Sequence, residues 1–336
     1  MNEAIRALIY NRNGGTLAEI EPQWETVSWR LNNIGLARFS MPYTDAKCTR
    51  TNLRPGNRIL IQFENGLPDW GGVLDFPRKR STGGVTISAY TGEKLLDHRR
   101  TSKNLEFTAY TPGAIYKTLL ETQSDVLPGT IVSGGTQRNA AYHYHDLLRR
   151  VQELARLSGY DFYVQPQVTA GVLRFYGNWY ARRGSDLTSE VLLAEDVNMA
   201  VPQLDEQGPL ANQIYCIGAG TTWGDERLVG SDQDADSIEL YDLREYAEVQ
   251  SAAQQATLDA NAAELVARMA YPRDILKVTA FDRAPGLFSA YDVGDIVKVQ
   301  AFLQTSEWSY DEEMRVIARE WLPDGTTRLE VQRWVE

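Results

Sequence analysis

Three histidines occur in the 336 residues: His98, His143 and His145. His143-Tyr144-His145 places two imidazoles on one side of an extended chain, a spacing that can bind zinc. A third ligand would have to be His98 or a carboxylate such as Asp146; no motif fixes it, so the three read as surface or helix-entry histidines. Asp232-Gln233-Asp234-Ala235-Asp236 opens like a calcium loop, but Ser237 stands where the sharp turn needs glycine and Leu243 where the bidentate glutamate belongs. That run reads as an acidic solvated loop. Gly218-Ala219-Gly220-Thr221-Thr222-Trp223-Gly224 follows a strand, yet its third glycine comes one place late for a dinucleotide fingerprint, and it reads as a turn. No GxxxxGK phosphate loop and no GxSxG nucleophile elbow occurs. Glycoside hydrolysis needs two carboxylates about 5–10 Å apart. Among 45 acidic residues such a pair is inevitable and carries no signal. No catalytic, metal-ligating or cofactor-binding residue is assigned, and no cofactor is expected.

The remaining marked residues concern surfaces. The formal charge is −11, from 34 Lys and Arg against 45 Asp and Glu, which argues against a protein that grips nucleic acid but not against one that nucleic acid slides past. Arg78-Lys79-Arg80 is a basic turn in this acidic chain, readable as a solvated hairpin tip or as a charge contact between subunits. Eight Trp and seventeen Tyr are available, and Asn178-Trp179-Tyr180 and Trp308-Ser309-Tyr310 lie in loop-like contexts. They serve either core and rim packing or exposed contacts, meaning a subunit interface or sugar stacking. Two cysteines, Cys48 and Cys216, are too few for a disulfide scaffold. With no apolar run near ~18 residues and an early acid, Glu3, neither a membrane span nor a secretory leader is expected.

The elements that position these residues change along the chain. Residues 1–100 read as short strands between Gly turns: Ile5–Tyr10, then Asn13-Gly14-Gly15; Trp29–Leu31; Ala37–Met41; Arg58–Phe63 after Arg54-Pro55-Gly56-Asn57; and a hairpin of Gly72–Phe76 with Val85–Tyr90. Residues 101–200 read as an α+β unit. Thr111-Pro112 opens one helix and Asp146 another, which stops near Gly159, and strands follow at Tyr160–Val164 and Val172–Tyr176. In residues 201–336, Gln213–Ile217 is a strand, Asp225–Glu239 an acidic loop, and Arg244–Ala270 two helices, with Asp259 capping the second. Strands resume at Ile275–Phe281 and end in a hairpin, Glu313–Ile317 and Arg328–Gln332 around Pro323-Asp324-Gly325.

One pattern occurs twice. Gly56-Asn57-Arg58-Ile59-Leu60-Ile61-Gln62 lies over Gly294-Asp295-Ile296-Val297-Lys298-Val299-Gln300, and a hairpin follows each. The order turn, strand, hairpin at both ends of the chain points to a duplicated β unit. Three copies of a chain with two similar units can close a ring of six, matching a sixfold tube on one side to threefold symmetry on the other.

Three segments resemble the tail hub and tail-tip proteins of bacteriophages, a group similar to the base of type VI secretion spikes. They are the early barrel with Pro55-Gly56-Asn57, the run Asp236-Ser237-Ile238 with Leu240-Tyr241 and Arg244-Glu245, and the Val293-Gly294-Asp295 strand with the final hairpin. Asp242 stands in the second segment where the family has glycine. The resemblance implies a mainly β fold with an α+β insertion: tube-like β-barrel domains at 1–100 and 201–336, the second with a helical insertion at about 240–272, flanking an α+β domain at 101–200. It further implies a non-enzymatic homotrimer at the virion tail tip, below a hexameric distal tail or tube protein and above a fibre or spike, meeting the host surface only indirectly. Its channel would hold the tape-measure protein and later pass DNA without specific binding, which an acidic lumen favours. The alternatives are a carbohydrate- or receptor-binding tail module and a polysaccharide-degrading enzyme.

Overall fold

A computed structural model describes residues 5–64, 66–207, 210–218, 227–250, 254–302 and 309–334. The glycine-rich run from Ala219 to Gly224, and Trp308, lie outside the described residues.

Alternating apolar residues and Gly turns build seven strands in the first third. These are β1 (Ile5–Tyr10), β2 (Thr16–Ile20), β3 (Gln23–Arg30), β4 (Leu36–Pro42), β5 (Arg58–Phe63), β6 (Trp70–Arg80) and β7 (Gly84–Thr91). Their period of two puts Ala7 and Ile9, Val27 and Trp29, and Ala37, Phe39 and Met41 into the interior. The basic run is not a hairpin tip: Arg78, Lys79 and Arg80 pair with Ile87, Thr86 and Val85, because a bulge after Asp75 lets β6 run on past the expected end of its strand.

The middle third holds α1 (Lys94–Asp97), β8 (Leu105–Tyr110), α2 (Pro112–Gln123), β9 (Leu127–Ile131), β10 (Arg138–Tyr142), α3 (Leu147–Ser158), β11 (Asp161–Thr169) and β12 (Val172–Tyr180). The Thr111 hydroxyl caps α2 and the Asp146 carboxylate caps α3, each accepting a backbone N–H from the first turn. Ile115 and Leu119 of α2 and Leu147, Val151 and Leu154 of α3 pack with Phe162 and Trp179 in a core that also takes in Tyr10 and Leu60.

The last third contains β13 (Leu192–Ala194), β14 (Gln203–Gln207), β15 (Gln213–Ile217), β16 (Val229–Gln233), α4 (Ala235–Tyr241), β17 (Glu245–Val249), α5 (Gln255–Met269), β18 (Arg273–Phe281), β19 (Ile296–Phe302), β20 (Ser309–Trp321) and β21 (Thr326–Arg333). Two expectations fail here. Asp225 and Glu226 lie outside the described residues, but the rest of the acidic segment is not a loop: it forms strand β16 and helix α4, and Asp234 caps that helix by accepting the Ser237 N–H at 2.8 Å. The helix-rich stretch from Arg244 is not two helices but β17 and the single helix α5, with Asp259 inside α5 rather than at its start. Five residues of β17 pair in parallel with β15, and those ladder bonds override the local helix preference. α5 covers that small sheet through Leu258, Ala262 and Leu265 against Ile214 and Cys216.

Among the described residues one sheet joins thirteen strands along the path β14-β18-β21-β20-β3-β4-β7-β6-β5-β1-β2, with β19 beside β20 and β13 beside β19. The seam between the first and last thirds is β3 against β20, Arg30 opposite Ala318 and Val27 opposite Trp321. Trp29, Phe39 and Ile59 share one core with Val278, Val299, Val316 and Val331. Two separate closed barrels are therefore not formed by the described strands. β20 supplies the partner that β3 would need for its own closure, and the inward side chains of both halves fill one interior. The fold is mainly β with a few helices.

The repeated sequence pattern has a main-chain counterpart. Gly56 N–H bonds the Leu74 carbonyl and Leu74 N–H the Asn57 carbonyl, both at 2.8 Å. Gly294 N–H bonds the Val316 carbonyl at 2.7 Å and Val316 N–H the Asp295 carbonyl at 2.9 Å. Both glycines have positive φ, +88° and +103°, which lets the turn fold back onto the hairpin strand.

All three thirds meet at Asp161. Its carboxylate receives the Arg315 guanidinium, the Asn32 side-chain amide at 2.9 Å and the Arg183 backbone N–H at 2.8 Å. Arg315 also donates to the Arg183 and Gly294 carbonyls, Asn32 accepts the Phe162 N–H at 2.7 Å, and Arg183 pairs with Asp292 at 2.6 Å. The Arg315 and Asp161 side chains are only 14% and 6% exposed. Asp161→Asn preserves shape but leaves a nearly buried guanidinium without its carboxylate. We expect a loss of about 3 kcal/mol, read as a lower denaturant midpoint; an unchanged midpoint would refute the role given to this pair.

Candidate assembly interface

The residues singled out for chemistry do not converge. His98 bonds Asp75 at 2.9 Å. His143 contacts the Lys103 carbonyl, and His145 lies edge-on to Tyr142, with burial pushing its pKa down. Tyr144 between them has φ +55°, which breaks the extended geometry that would put both rings on one side. Asp234 serves its helix cap and Asp232 accepts the Gln233 N–H. Among the described residues no group of three His, Cys, Asp or Glu is placed to hold a metal ion. Cys48 and Cys216 are free thiols, and Cys216 is buried beside the Gln250 amide at 3.3 Å.

The aromatic run Asn178-Trp179-Tyr180 is strand β12, not an exposed loop. Trp179 is fully buried between Tyr116 and Tyr160, ring centroids 4.9 and 5.9 Å away, and Asn178 accepts the Thr130 N–H at 2.7 Å. Tyr310 is buried as well. Of the rings that a sugar-binding reading would use, Trp179 and Tyr310 are therefore not on the surface, and Tyr180 is half-buried.

What the fold does leave open is strand edges. β14 ends the long sheet on one side. Near the other side, β5 pairs with β6 only as far as Val73, so residues 76–80 have no strand partner opposite β7 among the described residues. This second edge is basic and partly apolar: Phe76 is 65% exposed, Lys79 and Arg80 are exposed, and Arg78 has two buried nitrogens without hydrogen-bond partners. Burial, then Arg80, pushes the Arg78 pKa down. The β14 sequence, Gln203-Leu204-Asp205-Glu206-Gln207, carries two acids and no cation. Between the edges, the solvent face over the β3–β20 seam is polar. It presents Arg30 with Glu330 at 3.1 Å, Arg328 with Glu320 at 3.7 Å, and Lys277 with Asp205, around a concavity of about 560 Å³.

Two functional-looking residues escaped sequence reading. Arg319 is fully buried, donating to the Tyr291 and Phe288 carbonyls at 2.7 Å each with its guanidinium 4.9 Å from the Tyr291 ring centre. A bulge between Val316 and Ala318 reverses the strand's parity, so simple alternation along β20 would put Arg319 on the solvent face. Glu93, between β7 and α1, is buried and accepts the Val164 N–H at 2.7 Å.

No family model matches the chain, and no curated protein matches it. Solved structures do. A tail protein from Neisseria meningitidis MC58 aligns with TM-score 0.63 and 15% identity over 98% of this chain and 97% of its own. The 43 kDa tail protein of prophage MuSo2 from Shewanella oneidensis aligns with TM-score 0.58 and 12% identity over 97% and 98%. A type VI secretion component of E. coli, described as structurally similar to the T4 tail proteins gp27 and gp5, aligns with TM-score 0.54 and 12% identity over 94% and 75%. Across nearly its whole length, the chain has the fold of these tail proteins.

Glu93 supplies a pH test of how β7 and β11 are joined. Burial pushes its carboxyl up to about 7, against hydrogen bonds that favour ionisation. A carboxyl that titrates higher folded than unfolded makes the folded state bind the extra proton, so stability falls as pH rises from the ordinary carboxylate range to about 7. Glu93→Gln should flatten this part of the melting-temperature profile; an unchanged slope would contradict the assignment.

Proposed function

We propose that the chain is a structural hub of a phage or phage-like tail, working by geometry rather than catalysis. Three copies form a ring with six similar β units, two from each chain. The units at 1–100 and 201–336 flank the α+β unit at 101–200. The ring sits at the tail tip below a hexameric tube or distal tail protein and carries a fibre or spike. Its channel holds the tape-measure protein and lets DNA pass. The fold shared with tail proteins supports this reading.

The observation that carries it is the unlikeness of two open stretches of strand, residues 76–80 and β14. One sheet spans both β units; its end strand β14 has an acidic sequence, and residues 76–80 of β6, three strands in from the other end, leave a basic unpaired stretch. Unlike edges favour head-to-tail contacts, and head-to-tail contacts that close make rings. Strand addition supplies affinity through main-chain bonds, and charge fixes the register. The paired charges on the face over the seam present carboxylates beside each named cation, which suits a wall that a phosphate backbone must slide along.

Light scattering across a concentration series should give a mass near three times 37.8 kDa. Reversing the basic edge with Lys79→Glu and Arg80→Glu should return the chain to monomer with its melting temperature unchanged. A wild-type chain that stays monomeric throughout, or a trimer indifferent to the reversal, would count against this arrangement.

A further inference from the structure

A cleft of about 590 Å³ opens between the β1–β2 turn, the start of β5, and strands β9 and β12. Three arginines line it, Arg12, Arg58 and Arg174, with Asp125 as the one carboxylate among its described lining residues. We infer that this cleft binds a phosphate group, free or as a monoester.

Arg58 is the built part of the site. It is 7% exposed, its guanidinium lies 5.1 Å from the Phe175 ring centre, and Nε and Nη2 donate to the Arg12 carbonyl at 3.3 and 3.2 Å. Nη1 is buried and has no hydrogen-bond partner. Nη1 is closed to water, so an anion in the cleft acts on Arg58 by offsetting its buried charge rather than by bonding Nη1. Burial pushes the Arg58 pKa down, Asp125 pushes it up and Arg12 down, so the site gains from a further negative charge. Arg12 and Arg174 are exposed at the rim, where their side chains can swing onto a ligand.

The walls are fixed. Leu173 N–H bonds the Gly14 carbonyl at 3.0 Å, and a Cβ on Gly14 would lie 2.3 Å from the Leu173 carbonyl oxygen. Only glycine lets the β1–β2 turn seat this closely on β12, which holds Arg12 across from Arg174. Three guanidiniums against one carboxylate leave two net positive charges, the complement of a phosphate dianion, and the guanidinium fork matches its oxygens. The cleft, about 590 Å³ and open to solvent, is larger than a phosphate needs. The surplus suits the organic part of a monoester.

The test is calorimetric titration of the full chain with inorganic phosphate, and separately with a nucleoside monophosphate, against chloride at matched ionic strength. One saturable site is expected. Arg12→Ala and Arg174→Ala, both at exposed positions, should each weaken it about tenfold, and Asp125→Asn should tighten it. Tighter binding of the monoester supports an ester ligand, and equal affinity supports free phosphate. No saturable binding of either probe, or affinity unchanged in the Arg12→Ala/Arg174→Ala double variant, overturns the inference.

Discussion

The carboxylate of Asp161 holds the architecture together at the point where three sequence-distant segments converge. Asn32 reaches it from the β3–β4 turn, Arg183 from the segment after β12, and Arg315 from β20. An ion pair so little exposed gains from Coulomb attraction only when its remaining hydrogen-bonding capacity is met, and here it is: Arg315 divides its donors between the carboxylate and two carbonyls. The orientation of the α+β unit on the shared sheet follows from this. Arg183 continues the linkage to Asp292, next to the Gly294 turn of the repeated pattern, and stacks on Tyr163 of β11 at 4.2 Å. Side chains from the first third, the insertion and the last third are thus held in one network.

Around that junction the two β halves behave as one body. The repeated turn, with its paired bonds at Gly56/Leu74 and Gly294/Val316, starts an equivalent strand and hairpin in each half. Inward residues from both halves fill a single core, and β3 on β20 makes the sheet continuous. The shared sheet leaves its end strands unpaired on one side, and unpaired edges are surfaces that proteins cover or charge. The Lys and Arg on one edge guard against random pairing while leaving an acidic partner strand acceptable. The proposed ring uses the same property.

Much of the fold was legible along the chain. β5 and β15 match the sequence reading residue for residue, and the Thr111 and Asp146 caps are where the residue types put them. The repeat was visible as Gly-Asn/Asp followed by aliphatic residues. The failures share a cause: each lies where pairing or packing with another element, not local preference, decides. β17 is a strand because β15 is beside it, Arg78–Arg80 is a strand because β7 continues past the bulge, and Trp179 is buried because α2 and Tyr160 close over it. The arginine cleft was invisible for the same reason, since Arg12, Arg58 and Arg174 are far apart in sequence and are joined only by the seat of Gly14 on Leu173.

The sequence by itself determined the local grammar: short alternating strands, capped helices, a duplicated turn-strand-hairpin, an acidic balance and no recognisable catalytic motif. These follow from backbone preferences and hydrophobic period, which act over a few residues. Only the tertiary structure decided that the halves share one core rather than two barrels, which edges stay open, and which charges are buried. Those outcomes depend on strand pairings between residues as much as 294 positions apart, such as Val27 with Trp321. Pairing energy over such distances is set by what else fills the interior, and no local propensity contains it.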